Sequence, residues 1–135
     1  MRMSDEKIVP QFRHLIRELT SLKLAYLHLI EGRVHGHQDV ETEDTIDFAL
    51  EAWGNERPVV LAGGYTPERA FRTVDEQRGD RNVAIVFGRY FVSNPDLVLR
   101  VRNGIELAKY DRETFYTPKT SKGYIDYPFA DAVKN

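Results

Sequence analysis

The chain has 135 residues, which fits about one domain of roughly 100–200 residues, and its 41% apolar, 30% charged and 11% aromatic content is that of a soluble globular chain rather than a disordered tail. With 19 Lys and Arg against 21 Asp and Glu, the formal charge is −2, so the phosphate neutralisation that drives nucleic-acid binding has no support and no nucleic-acid partner is expected. The absence of cysteine excludes disulfides, thiolate metal sites, iron–sulfur ligation and a cysteine nucleophile, and it fits a reducing, cytoplasmic setting.

In chain order, Met1 to Pro10 is polar and lacks the apolar core of a secretory signal. Gln11 to Leu24 carries Phe12, Leu15, Ile16, Leu19 and Leu22 at the i, i+3, i+4, i+7 spacing of an amphipathic helix. Leu24 to Ile30, bounded by Glu31-Gly32, reads as a strand with His28 as a satisfied core residue. Val34 to Glu43 is polar and reads as a loop, and Asp39, Glu41, Glu43 and Asp44 read as a solvated loop and helix start. His35 and His37 have no carboxylate or cysteine at ligand spacing, so no metal is expected. Thr45 to Trp53 predicts a helix ended by Gly54.

Pro58 to Ala62 is an apolar strand stopped by Gly63-Gly64. Thr66-Pro67-Glu68 then starts a helix, with Thr as N-cap and Pro at the first helical position, running to about Glu76. Asn82 to Phe87 is a further strand, closed by Gly88-Arg89. It holds the longest apolar run, Val83 to Phe87, far short of the 18 or so residues of a membrane span, so no membrane partner is expected. Ser93-Asn94-Pro95-Asp96 caps a helix carrying Leu97, Val98, Val101 and Ile105; no Ser–His–Asp arrangement is legible. From Lys109 the chain reads as an irregular tail packed by Phe115, Tyr116, Tyr124, Tyr127 and Phe129. Tyr65, Tyr90 and Phe91 read as packing residues.

Strands alternating with helices predict an α/β fold with right-handed βαβ units and a parallel sheet. Runs apolar on both strand faces predict a sheet covered by helices. Three such strands have two open edges and look like part of a larger domain. The expected organisation is an incomplete βα domain over 1–108 and a C-terminal extension over 109–135.

Two strand ends carry the chemistry. One is Ala62-Gly63-Gly64-Tyr65-Thr66-Pro67, with two glycines just before a helix; the other is Phe87-Gly88-Arg89-Tyr90. Glycines let the backbone approach an anion, and an arginine beside them adds a bidentate, charge-assisted contact to phosphate. In a (β/α)₈ barrel the loops after the last two strands frequently form such a phosphate site. Alone, a Gly-Gly pair after a strand is more often just a tight turn.

The segments Ala62-Gly63-Gly64-Tyr65-Thr66, FGRYFVSNPDL (Phe87 to Leu97), Tyr110-Asp111-Arg112-Glu113-Thr114-Phe115-Tyr116 and GYIDYP (Gly123 to Pro128) together resemble the old yellow enzyme family, in its fungal form. Leu24 to Glu31 is similar to that family's sixth strand. The resemblance implies the C-terminal part of a (β/α)₈ TIM barrel, FMN as cofactor and NAD(P)H as reductant. It implies that Gly63, Gly64, Gly88 and Arg89 hold the FMN phosphate region and that Phe115 and Tyr116 bound the substrate pocket. Gly32 departs from the family's usual Glu-Pro-Arg turn. Only about the last third of the family pattern is matched, so the substrate-binding His pair, the proton-donating Tyr and the groups around the isoalloxazine have no counterpart.

Two functions follow from the resemblance. In the first, the chain is part of an FMN ene-reductase acting on an enone-type small molecule, in fungal secondary metabolism such as ergot-alkaloid formation, with a partner chain or longer parent supplying the rest of the barrel. In the second, it is a truncated, non-catalytic reductase-like remnant.

Overall fold

The structure is a computed structural model that describes residues 5–32, 34–35, 38–39 and 46–131. It divides into two compact units, Met1–Val86 and Phe87–Asn135.

The first unit begins with helix α1 (Asp5–Ser21). It starts earlier than the predicted Gln11 because Ile8 extends the same apolar spacing through Phe12 and Leu15, with Pro10 accommodated inside the helix. Strand β1 (Leu27–Ile30) follows, then β2 (Val34–His35) and β3 (Gln38–Asp39), helix α2 (Asp47–Trp53), strand β4 (Val59–Ala62), helix α3 (Pro67–Phe71) and strand β5 (Val83–Ile85). The sheet order is β1–β4–β5, with both pairs parallel. Leu27 pairs with Val59 and Val59 with Val83, so one register runs across all three strands. Each crossover between parallel neighbours passes through a helix, as the alternating pattern predicts.

The core of this unit is made by Ile16 of α1, Leu27 of β1, Ala49, Leu50 and Trp53 of α2, Val59 and Leu61 of β4, and Ala70 of α3. Helix α1 packs on α2, and Arg13 of α1 reaches Glu51 of α2 at 3.3 Å. Arg57 ties the end of α1 to the start of β4: its guanidinium donates to the carbonyls of Thr20 and Leu24 and lies 4.5 Å over the Trp53 ring. Trp53 Nε1 returns a bond to the Arg57 carbonyl. The Thr66-Pro67 start of α3 is as predicted, with the Thr66 hydroxyl accepting from the Arg69 amide. The predicted helix does not run on to Glu76 as one α-helix; Arg72–Gln77 forms a π-helical turn instead.

Three expectations are corrected here. The Val34 to Glu43 loop contains an antiparallel pair, Val34 with Asp39 and His35 with Gln38; Gly36, His37, Glu41, Glu43 and Asp44 lie outside the described residues. His28 is exposed, not a core residue. The strands are not covered on both faces throughout: β4 is the central strand, whereas β1 and β5 are edges and Ile30 is 73% exposed.

In the second unit, Arg89–Ser93 forms a short helix, α4, that the sequence pattern did not show, and Leu97–Asn103 forms α5. The predicted cap is also corrected. No side chain caps α5; Asp96 accepts instead from Arg100 Nε at 2.8 Å and, through its other oxygen, from the Ala130 amide at 2.7 Å. Arg100 donates further to the carbonyls of Glu106 and Pro128. Ser93 and Asn94, both fully buried, bind Ala108: the two side chains donate to its carbonyl and its amide donates to Asn94 Oδ1.

The segment after α5 is therefore held by polar bonds to four buried side chains, and the expectation of a tail packed by its aromatic rings fails for three of them. Tyr116 is 86% exposed, and Tyr124 and Phe129 are also exposed. Burial pushes the Asp96 carboxyl up, but the Ala130 amide and the Arg100 guanidinium outweigh it, and the group titrates below its ordinary value.

Two measurements check this description. Leu61, fully buried in β4, should cost about 2–5 kcal/mol of stability on truncation to alanine, whereas Ile30→Ala should stay within about 0.5 kcal/mol, both read from urea unfolding midpoints. The Asp96 carboxyl has a folded-state pKa lower than its unfolded-state value of about 3.9, so its hold on Ala130 is complete above that value and is lost as pH falls through the folded-state one. The Ala130 amide resonance should be constant between about pH 5 and 7 and move only below about pH 4, and that step should vanish in Asp96→Asn. A transition above about pH 5 would contradict the assignment.

Candidate cofactor site

The C-terminal end of β4 runs straight into the two predicted glycines. Gly63 has φ +127° and Gly64 φ +61°, a region that side chains rarely adopt. At Gly63 a Cβ would lie 2.9 Å from the carbonyl oxygen of Glu31, the residue that follows β1. Parallel pairing causes this approach: Ile30 sits beside Ala62, and the Glu31 amide donates to the Ala62 carbonyl at 2.9 Å. Gly63 is thus required by the protein's own packing. Tyr65, next in sequence, is 4% exposed, and its hydroxyl donates to Glu31 Oε2 at 2.7 Å.

Gly88 differs. Its φ of −93° suits any residue, and a Cβ there would meet no atom within 4 Å. Among the described residues neither backbone nor packing calls for glycine at this position. Arg89, the first residue of α4, has its guanidinium carbon 5.1 Å from the centre of the Tyr110 ring. Tyr110 in turn packs edge-on against Tyr90 at 5.3 Å and tilted against Phe115 at 5.7 Å.

The structure therefore brings Arg89 and Phe115 onto one ring, that of Tyr110, and leaves Tyr116 as an exposed ring. Sequence reasoning missed Tyr110 as the bridge. It also missed Glu31 and Tyr65 as a pair, which are 34 residues apart in the chain. Among the described residues, no group of three or more His, Asp or Glu could hold a metal ion, and no helix is long and apolar enough to cross a membrane.

Residues 3–108 match the NADH:flavin oxidoreductase / NADH oxidase family. The chain belongs to this family. It is 50% identical over 130 residues to a chanoclavine-I aldehyde reductase of Penicillium roqueforti (strain FM164), covering 96% of this chain and 35% of that protein. It is 47% identical over 129 residues to a probable inactive dehydrogenase of Claviceps purpurea (strain 20.1), covering 92% and 34%. Morphinone reductase superposes with a TM-score of 0.77 at 31% identity, over 98% of this chain and 34% of that one. An old yellow enzyme from Pichia sp. AKU4542 superposes at 0.73 with 27% identity, over 91% and 30%. The chain spans about a third of the length of the relatives it matches. These likenesses bear out the old yellow enzyme resemblance and the TIM-barrel fold class, and FMN with NAD(P)H as reductant is the family's cofactor set.

The two strand ends should respond differently to a methyl group. Gly63→Ala should destabilise by about 1–3 kcal/mol, through positive φ and collision with Glu31. Gly88→Ala should leave stability within about 0.5 kcal/mol. Thermal unfolding of both variants decides it; equal losses would contradict the contrast.

Proposed function

We propose that this chain supplies the FMN-phosphate grip and one wall of the substrate pocket of an old yellow enzyme-type, NAD(P)H-dependent ene-reductase. It corresponds to the last βα units of the barrel over 1–108, with 109–135 as the C-terminal extension. Gly63, Gly64, Gly88 and Arg89 are the phosphate-region residues, and Phe115 and Tyr116 are the pocket wall. The observation that carries this reading is the Gly88-Arg89 strand end: among the described residues neither backbone nor packing calls for glycine at Gly88, and arginine follows it.

Arg89 offers a planar fork of donors that matches a phosphate. The Gly63–Gly64 turn, with its positive φ values, carries no side chain that would keep an anion from its backbone. Tyr110, stacked between Arg89 and Phe115, couples the orientation of the guanidinium to that of the pocket ring. Held by this chain's residues, FMN would supply hydride transfer from NAD(P)H to an activated alkene. This chain's residues hold the cofactor and shape the pocket. The family's proton-donating Tyr and substrate-binding His pair have no match in the sequence, so a partner chain or longer parent carrying the other βα units completes the site.

The substrate is an enone-type small molecule of fungal secondary metabolism, in keeping with the chanoclavine-I aldehyde reductase similarity. NADPH is the favoured reductant because a 47% identical protein of Aspergillus flavus is named an NADP-dependent oxidoreductase. The cysteine-free composition supports a cytoplasmic setting. A second reading, a reductase-like protein with no catalysis, is favoured by the names of two relatives, a probable inactive dehydrogenase of Claviceps purpurea and a probable inactive reductase of Epichloe festucae var. lolii.

Alone, the chain should bind flavin weakly and show no NAD(P)H-dependent enone reduction, read from the visible spectrum and from reductant oxidation. In a complete barrel containing it, Arg89→Ala should cost about 1.5–3 kcal/mol of FMN affinity with the fold intact. Equal flavin occupancy in wild type and variant would overturn the phosphate role. One flavin per isolated chain with enone turnover would overturn the need for the remaining units.

A further inference from the structure

The Gly63–Gly64 turn has no side chains with which to hold its own shape. Both glycines sit at positive φ, where glycine moves between conformations at little cost, and an anion site made of such residues must be held in shape from outside. Glu31 approaches the turn on three sides. Its amide donates to the Ala62 carbonyl at 2.9 Å, its carbonyl fills the space beside Gly63, and its carboxylate accepts from the Tyr65 hydroxyl at 2.7 Å. The turn is thus bracketed in sequence, at Ala62 and at Tyr65, by two hydrogen bonds to one residue just after the neighbouring strand.

A carboxylate beside an anion-accepting turn opposes the ligand by like charge, so its presence there calls for a role other than contact with the ligand. Here one carboxylate oxygen is held by a phenol whose ring is buried. Such a charge-assisted O–H to carboxylate bond is among the strong ones, and burial of the ring fixes the donor.

We propose that Glu31 and Tyr65 are positioning residues that lock the Gly63–Gly64 turn in its anion-accepting shape; this rests on the reading of that turn as a contact of the FMN phosphate. The Tyr65 hydroxyl sets the turn through Glu31, and neither residue needs to touch the cofactor.

Backbone ¹⁵N order parameters of the 135-residue chain test the lock without ligand. Gly63 and Gly64 should be rigid in wild type, near 0.85, and fall below about 0.6 in Tyr65→Phe, which keeps the ring and deletes the hydroxyl. Leu29 and Leu61 should not change. Glu31→Ala should reproduce the loss, and Glu31→Gln, which keeps an acceptor oxygen, should restore rigidity. Unchanged order at both glycines in Tyr65→Phe and Glu31→Ala would overturn the proposal, and so would equal loss in Glu31→Gln.

A second readout uses FMN and riboflavin as probes, titrated at millimolar concentration and followed at the Gly63 and Gly64 amides. The preference for FMN over riboflavin should drop about tenfold in Tyr65→Phe and recover in Glu31→Gln. If wild type shows no preference for FMN, the phosphate reading fails, whatever the order parameters show. If wild type prefers FMN and Tyr65→Phe keeps that preference with rigid glycines, the lock alone fails.

Discussion

Parallel pairing of β4 with β1 on one side and β5 on the other is the constraint on which the site depends. Because the strands run the same way in one register, Ile30 and Ala62 end side by side, and the residues that follow them meet at one edge of the sheet. Glu31 is then forced against the Gly-Gly turn, and only glycine fits at Gly63. A one-residue slip of β1 would invert its side chains and break this meeting. Leu27, Val59 and Leu61, buried in the sheet, oppose that slip.

The second unit solves a different problem. An aromatic tail with few regular hydrogen bonds has to be held in place, and exposed rings such as Tyr116 and Phe129 contribute little to that. The buried Asp96–Arg100 pair and Asn94 supply it, by binding the backbone at Glu106, Ala108, Pro128 and Ala130. A buried ion pair is a weak source of stability by itself, since desolvation offsets much of the attraction. Its effect here is directional: three further bonds of the pair go to main-chain groups, at Glu106, Pro128 and Ala130, which fixes where the tail runs.

Much of this was legible in the sequence, for identifiable reasons. Apolar runs bounded by Gly marked all three strands, and Thr66-Pro67 marked a helix start to the residue. The two glycine-bearing strand ends were legible as turns; either pair alone reads as no more than that, and it was their occurrence on consecutive strands that singled them out. What failed was what depends on neighbours. Edge strands look like central ones in composition, so the exposure of His28 and Ile30 was hidden. The short α4 lacks a full period of apolar spacing, and the Val34–His35 and Gln38–Asp39 pairing is too short to show alternation. Asp96 and Arg100 do stand at the helical i, i+4 spacing, a signal masked by the resemblance of Asn94-Pro95-Asp96 to a cap. The Glu31–Tyr65 bond spans 34 residues, and only the sheet brings its ends together.

Phosphorus NMR of FMN mixed with the chain tests the central claim most directly, because it reports on the phosphate and not on the ring. The phosphate resonance should move as the chain is added and should stay in place with the Arg89→Ala chain. A phosphate signal that never moves, or one that moves equally with both chains, would contradict a phosphate grip at Arg89.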